Sequence, residues 1–224
     1  MSSIIEEEWN RSFLRVLPVA SLGLGVLSTI MAILTLQRYE PLGQRVYSQD
    51  GTYLVNVRYP GQWHDIRSFV QPTNPDVVAI YHQYGPHYWA LYDFVCRNID
   101  YRRDIGEFWL TPSETLRGYA DCEDTSILLT SLIRASGDPE AYVSLGSYQG
   151  YSHAWCQYRG EIMESTFTQA RPVSDPEHYE LHFLFNEQDV IELWPGALGE
   201  IFDLRRDEAM KLGLMAEVVE CMSR

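Results

Sequence analysis

Basic charge is what this sequence has least of. Its 224 residues include a single lysine, Lys211, among 17 basic side chains, and the formal net charge is −14. A phosphate backbone needs a basic face, so nucleic acid is excluded as the main partner. Cysteine is sparse as well. Cys96, Cys122, Cys156 and Cys221 contain no CxxC pair, which removes the zinc ribbon and the dithiol redox motif. There is no glycine-rich phosphate loop, dinucleotide fingerprint, HExxH or internal repeat, so no metal or organic cofactor is expected. His178 and His182 stand four apart near Pro176, too little for a metal pair. His82 and His87, astride Gly85-Pro86, read as ordinary surface or core histidines. Disorder is excluded in turn: 46% hydrophobic and 13% aromatic residues suit a packed core.

What is there begins with an uncharged run from Val16 to Leu36. A helix of that length covers about 30 Å, a bilayer core. Pro18 falls in its first turn, where proline is tolerated, and Trp9 and Tyr39 flank it at interfacial distances. The chain therefore divides into a tail at 1–15, a transmembrane helix at 16–37, a linker at 38–51 and a domain at 52–224. A cleaved signal peptide is the alternative, but its apolar core would be shorter and no small-x-small site follows. Arg11 and Arg15 precede the run, and Arg38 and Arg45 follow it. That near tie leans towards a single-pass anchor with its domain on the extracytoplasmic side.

The rest of the chain is organised around Leu116 to Gly137. Leu128, Leu132 and Ala135 repeat at helical spacing, and Gly137 followed by Asp138-Pro139 stops the helix. The start then falls near Cys122, with Asp121 or Asp124 as N-cap. Unused N–H groups at a helix start favour a thiolate, so a nucleophilic cysteine fits there. Further on, Ala154–Tyr158 and Ile162–Thr166 alternate about Arg159-Gly160 and read as a hairpin. A two-residue turn pairs Tyr158 with Glu161, Trp155 with Glu164 and His153 with Thr166. His153 and Glu164 then become diagonal neighbours on one face, about 7–8 Å apart at the backbone. A base oriented by a carboxylate and aimed at a thiol is the logic of an activated nucleophile. Cys156 is the rival thiol, but strand alternation turns it away from the His153 face.

Trp109-Leu-Thr-Pro112, Asp121-Cys-Glu-Asp124, Gly137, His153-Ala-Trp155 and Glu164-Ser-Thr166, in that order, resemble the core of the transglutaminase-like superfamily, in its microbial cysteine-protease branch. The resemblance is specific from Trp109 to Thr166, thinner from Pro75 to Phe108, and silent on the first fifty residues. It implies an α+β fold of the papain and transglutaminase kind, with the nucleophile helix packed on an antiparallel sheet. It also implies Cys122 as nucleophile, His153 as general base and Glu164 as the group orienting the histidine. Trp109, Asp121 and Trp155 become candidates for the substrate groove or oxyanion site, beside the backbone N–H of Cys122. Two positions depart from the pattern. Ala120 stands where the branch has glycine, and would be strained if the position needs positive φ. Glu164 stands where aspartate is common. The acidic flank Asp121, Glu123 and Asp124 also opposes a thiolate.

Elsewhere a strand is expected at Thr52–Tyr59, mostly loop at 62–73, and a helix from Asn74-Pro75 to Tyr84. A second helix should end near Asn98, and a short one should span Ser113–Leu116. A strand is expected at Glu140–Gly146, strand or buried loop segments at Leu181–Phe185 and Val190–Leu193, and a loop at 147–152. An amphipathic helix is expected at Leu204–Met222. Two functions compete. One is a membrane-anchored thiol enzyme acting on peptide or protein substrates by amide hydrolysis or acyl transfer. The other is a non-catalytic subunit of a membrane complex that keeps the fold.

Overall fold

A computed structural model describes residues 45–103 and 107–222. The expected span at 16–37 and the tail before it lie outside these residues. Among the described residues no helix is long and apolar enough to cross a membrane.

The described chain opens with a hairpin, β1 (Val46–Gln49) and β2 (Thr52–Val55), turned at Asp50-Gly51. Its first strand comes from the end of the expected linker, and its second stops four residues short of Tyr59. β3 (His64–Asp65) adds to β2, and a 3-10 turn at Ile66–Phe69 occupies part of the stretch expected as loop. α1 (Pro75–Tyr84) starts where Asn74 accepts a bond from the Asp76 N–H and Pro75 fills the first turn. α2 (Tyr88–Asn98) follows. β4 (Asp100–Tyr101) runs parallel to β5 (Tyr119–Ala120), with α3 (Pro112–Thr115) between them. Thr111 and Glu114 form a capping box on α3, so the cap lies two residues before Ser113.

α4 (Cys122–Arg134) is the central element, and every one of its residues is buried. The single apolar stripe read from the sequence understates it. Sheet strands pack on it from one direction and α1, α2 and α3 from others, so no face meets water. Its buried hydroxyls turn back on the helix. Ser126 Oγ donates to the Cys122 carbonyl at 2.5 Å and Ser131 Oγ to that of Ile127 at 2.7 Å. Ile127 joins a core with Trp109, Phe183 and Phe185, while Leu128, Leu129 and Leu132 join another with Tyr92, Val95 and Cys156. Each buried aliphatic side chain here contributes about 1.5–3 kcal/mol.

The main sheet holds β6 (Ala141–Tyr148), β7 (Tyr151–Tyr158), β8 (Glu161–Met163), β9 (Tyr179–Phe185) and β10 (Val190–Glu192). It is antiparallel throughout, in the order β10-β9-β6-β7-β8. The expected loop at 147–152 is instead a tight turn. Gln149 and Gly150 both take positive φ, so β6 and β7 run almost to it. α5 (Ala197–Met222) begins seven residues before the expected Leu204. Its first turns are rooted in the core by Ala197, Leu198 and Ile201.

Candidate active site

Three elements converge at the head of α4. Asp121 caps the helix in a reciprocal box with Asp124, each side chain accepting from the other's backbone N–H, and Cys122 is the first helical residue. Of the two caps the sequence allows, Asp121 is the one used. Ala120 lies in β5, outside the positive-φ region, and Gly118 two residues earlier takes φ 112° instead. Alanine is therefore unstrained where the resemblance has glycine. Cys122 is only 4% exposed.

β7 carries His153 to the same place. Arg159 and Gly160 both have positive φ, as a two-residue type I′ hairpin requires, and the ladder pairs Tyr158 with Glu161. Glu164 follows directly after β8, and its Oε2 lies 2.7 Å from His153 Nε2. The other ring nitrogen, Nδ1, is the one not engaged by the carboxylate. Burial disfavours the protonated imidazole, but the influence of Cys122 and of Glu164 outweighs it and pushes His153 up to about 10. The sign follows from linkage. The pairing contributes fully below the ordinary histidine range near 6.5 and is lost as pH climbs through about 10.

Glu164 is 2% exposed and heavily bonded. Its Oε1 accepts from the Thr166 backbone N–H at 3.1 Å and from Thr166 Oγ1 at 2.6 Å. Oε2 accepts from the Tyr179 hydroxyl at 2.9 Å. Burial pushes its carboxyl up, yet His153, Thr166 and Tyr179 together hold it below the usual carboxylate range. Tyr92 supports it from behind, donating to the Glu164 carbonyl at 3.1 Å.

The remaining candidates fall differently. Trp109 is core, stacked on Phe185 and Phe202, and its indole N–H donates to Glu107 Oε1 at 2.7 Å. In this structure that donor is engaged by Glu107. Trp155 is buried edge-on against Tyr179, with ring centroids 5.2 Å apart. Asp121 serves as the cap. Cys156 is wholly buried beside Thr130, and burial pushes it up to about 12. Cys96 is buried too and pushed up to about 12, again mainly by burial. Both are free thiols. His182 packs against Trp194, and His178 faces Asp175.

Sequence reasoning expects a helix from Leu204 but misses its part in the site. Arg205 places Nη1 2.8 Å from Glu107 Oε1, in direct contact with Glu123, and Nη2 3.8 Å from the Cys122 sulfur. One turn on, Glu208 accepts from the Ser152 backbone N–H at 2.5 Å and pairs with Arg103 at 3.0 Å. Glu107, Trp109, His153, Phe202 and Arg205 help enclose a space of about 10 Å³. That is at the lower limit for one water molecule. No motif in the sequence marks Arg205 or Tyr179 for these positions.

No family model matches the sequence, and no curated protein matches it. Solved structures do. Legionella pneumophila LapG is similar at a TM-score of 0.38 and 14% identity, over 60% of this chain and 96% of that one. Its EGTA-treated form gives 0.40 and 15% over 63% and 98%. A Cytophaga hutchinsonii protein described as a candidate cysteine protease gives 0.35 and 15% over 62% and 57%.

Proposed function

We propose that this chain is a transglutaminase-like thiol hydrolase of amide bonds, held to a membrane by its N-terminal span. What carries the reading is one imidazole bonded to a buried carboxylate and electrostatically linked to a helix-start sulfur. Cys122 gives its thiol proton to His153, its Sγ attacks the amide carbon to form a C–S bond as the carbonyl π bond opens, and the tetrahedral oxyanion is met by the backbone N–H of Cys122. Collapse breaks the C–N bond while His153 gives its proton to the leaving nitrogen. Water, deprotonated by His153, then attacks the thioester and releases the acid and the thiol. Glu164 fixes the imidazole throughout. Hydrolysis is preferred to transamidation because water needs no acceptor site. The anchor rests on the uncharged run from Val16 to Leu36. It is tested by alkaline carbonate extraction of membranes: release of the full-length chain into the supernatant counts against a span.

The test of the chemistry is labelling of the full-length protein by iodoacetamide near neutral pH. Cys122→Ala should abolish the fast phase, and retention of that phase would move the nucleophile to another thiol. The enclosed space beside His153 favours a second reading, an accessory subunit with a closed site. That reading predicts wild-type labelling no faster than that of an ordinary buried thiol.

A further inference from the structure

The reading of Cys122 as a nucleophile leaves an electrostatic problem. The Cys122 thiol donates to Glu123 Oε2 at 3.0 Å, a bond that favours the neutral thiol, and Asp121 belongs to the same turn. Glu107 is linked to them through Arg205, and burial pushes its carboxyl up. A thiolate beside Glu123 and Asp121 is repelled by both. Asp124 is turned away onto the Leu110 backbone N–H at 2.7 Å. Opposing the repulsion are the helix N-terminus and His153, while Tyr101 from β4 is neutral near pH 7.

A second full positive charge comes from α5, 83 positions later in the chain. The Arg205 side chain is 14% exposed. Its two terminal nitrogens divide the work. Nη1 takes Glu107 and Glu123, and Nη2 lies 3.8 Å from both Asp121 Oδ2 and the Cys122 sulfur. A planar guanidinium can do this, whereas an ammonium offers one point of charge. The helix beneath it is held firmly. Ala197, Leu198 and Ile201 are buried in the core, and Glu208 ties the next turn to Ser152, the neighbour of His153. These anchors make Arg205 a permanent part of the site and set it apart from a detachable cover.

We propose that Arg205 is a positioning residue of the thiol centre: by pairing with Glu107 and Glu123 it offsets the acidic charge that stands against Cys122, so that the sulfur can carry its own charge beside His153. The proposal rests on the nucleophile reading above. Its test is the iodoacetamide labelling rate of the full-length protein across pH. Arg205→Gln should slow Cys122 by about tenfold or more near pH 7 yet match wild type near pH 10, where a thiol ionises without help. Adding Glu123→Gln to that variant should restore most of the neutral-pH rate, which a merely structural arginine would not allow. Thermal melts check folding. If Arg205→Gln does not fold, Arg205→Lys takes its place: a smaller loss at neutral pH, relieved by Glu123→Gln, supports the proposal, and no loss overturns it. An Arg205→Gln rate unchanged at both pH values, or faster at both as a simple cover predicts, also overturns it. Wild-type Cys122 unlabelled near pH 7 would overturn both readings, whereas a labelled wild type with an unaffected Arg205→Gln defeats this one alone.

Discussion

Cys122 and Cys156 are both buried thiols, one at the head of α4 and the other in the middle of β7, and they differ in almost everything else. Cys156 is closed in by Leu128, Leu129 and Met163, with Thr130 as its polar neighbour, and burial pushes it up to about 12. Cys122 is nearly as inaccessible, yet an imidazole, a guanidinium and the start of a helix surround it. The difference teaches that polar company sets these two thiols apart, while exposure does not.

The comparison can be broken most severely at His153. His153→Ala should cut turnover of a peptide substrate by about 10²–10⁴-fold, the usual contribution of a positioned acid–base group. A loss below tenfold would make Cys122 as ordinary as Cys156. Glu164→Gln comes next. Its carboxylate is held low by His153, Thr166 and Tyr179, so its contribution is present above the carboxylate range and is lost as pH falls through it. The His153 side of the pair fades as pH rises through about 10. The melting-temperature gap between wild type and Glu164→Gln should therefore be widest between those limits and should narrow above about pH 10, where the Thr166 and Tyr179 bonds remain; a pH-independent gap would mean that the pair is not ionic. Tyr179→Phe keeps the ring against Trp155 and removes one donor to Glu164. It should cost turnover only a few-fold, about 1 kcal/mol, and move the acid limb of the pH–rate profile upward. The smallest effect belongs to the other thiol. Cys156→Ala should leave labelling of Cys122 unchanged and lower stability by about 1 kcal/mol through lost packing.

Much of the site is legible in the sequence because its determinants are local. Asp121 ahead of Cys122, with Gly137 at the far end, marks both ends of α4. The Arg159-Gly160 turn sets a register that two residues specify, which is why the amino-acid order alone brings Glu164 to the neighbourhood of His153. The turn at Gln149-Gly150 reads as loop because glutamine does not advertise positive φ as asparagine or glycine does. Arg205 and Tyr179 are invisible for another reason. Their roles arise from contacts across long sequence separations, and nothing in the neighbouring sequence distinguishes either from a surface arginine or a core tyrosine. Gly146 is a similar case. It sits opposite His153 at the β6–β9 irregularity, where a methyl group would collide with the Glu180 carbonyl.

The two-residue bend at Arg159-Gly160 has one more consequence, for what this lineage can tolerate. Side chains alternate along a strand, so one extra codon in that bend would present the opposite edge of β8 to its neighbour. The acid that steadies the imidazole would then face away, with its own chemistry intact and its address wrong. In this bend the tally of amino acids is itself a working part.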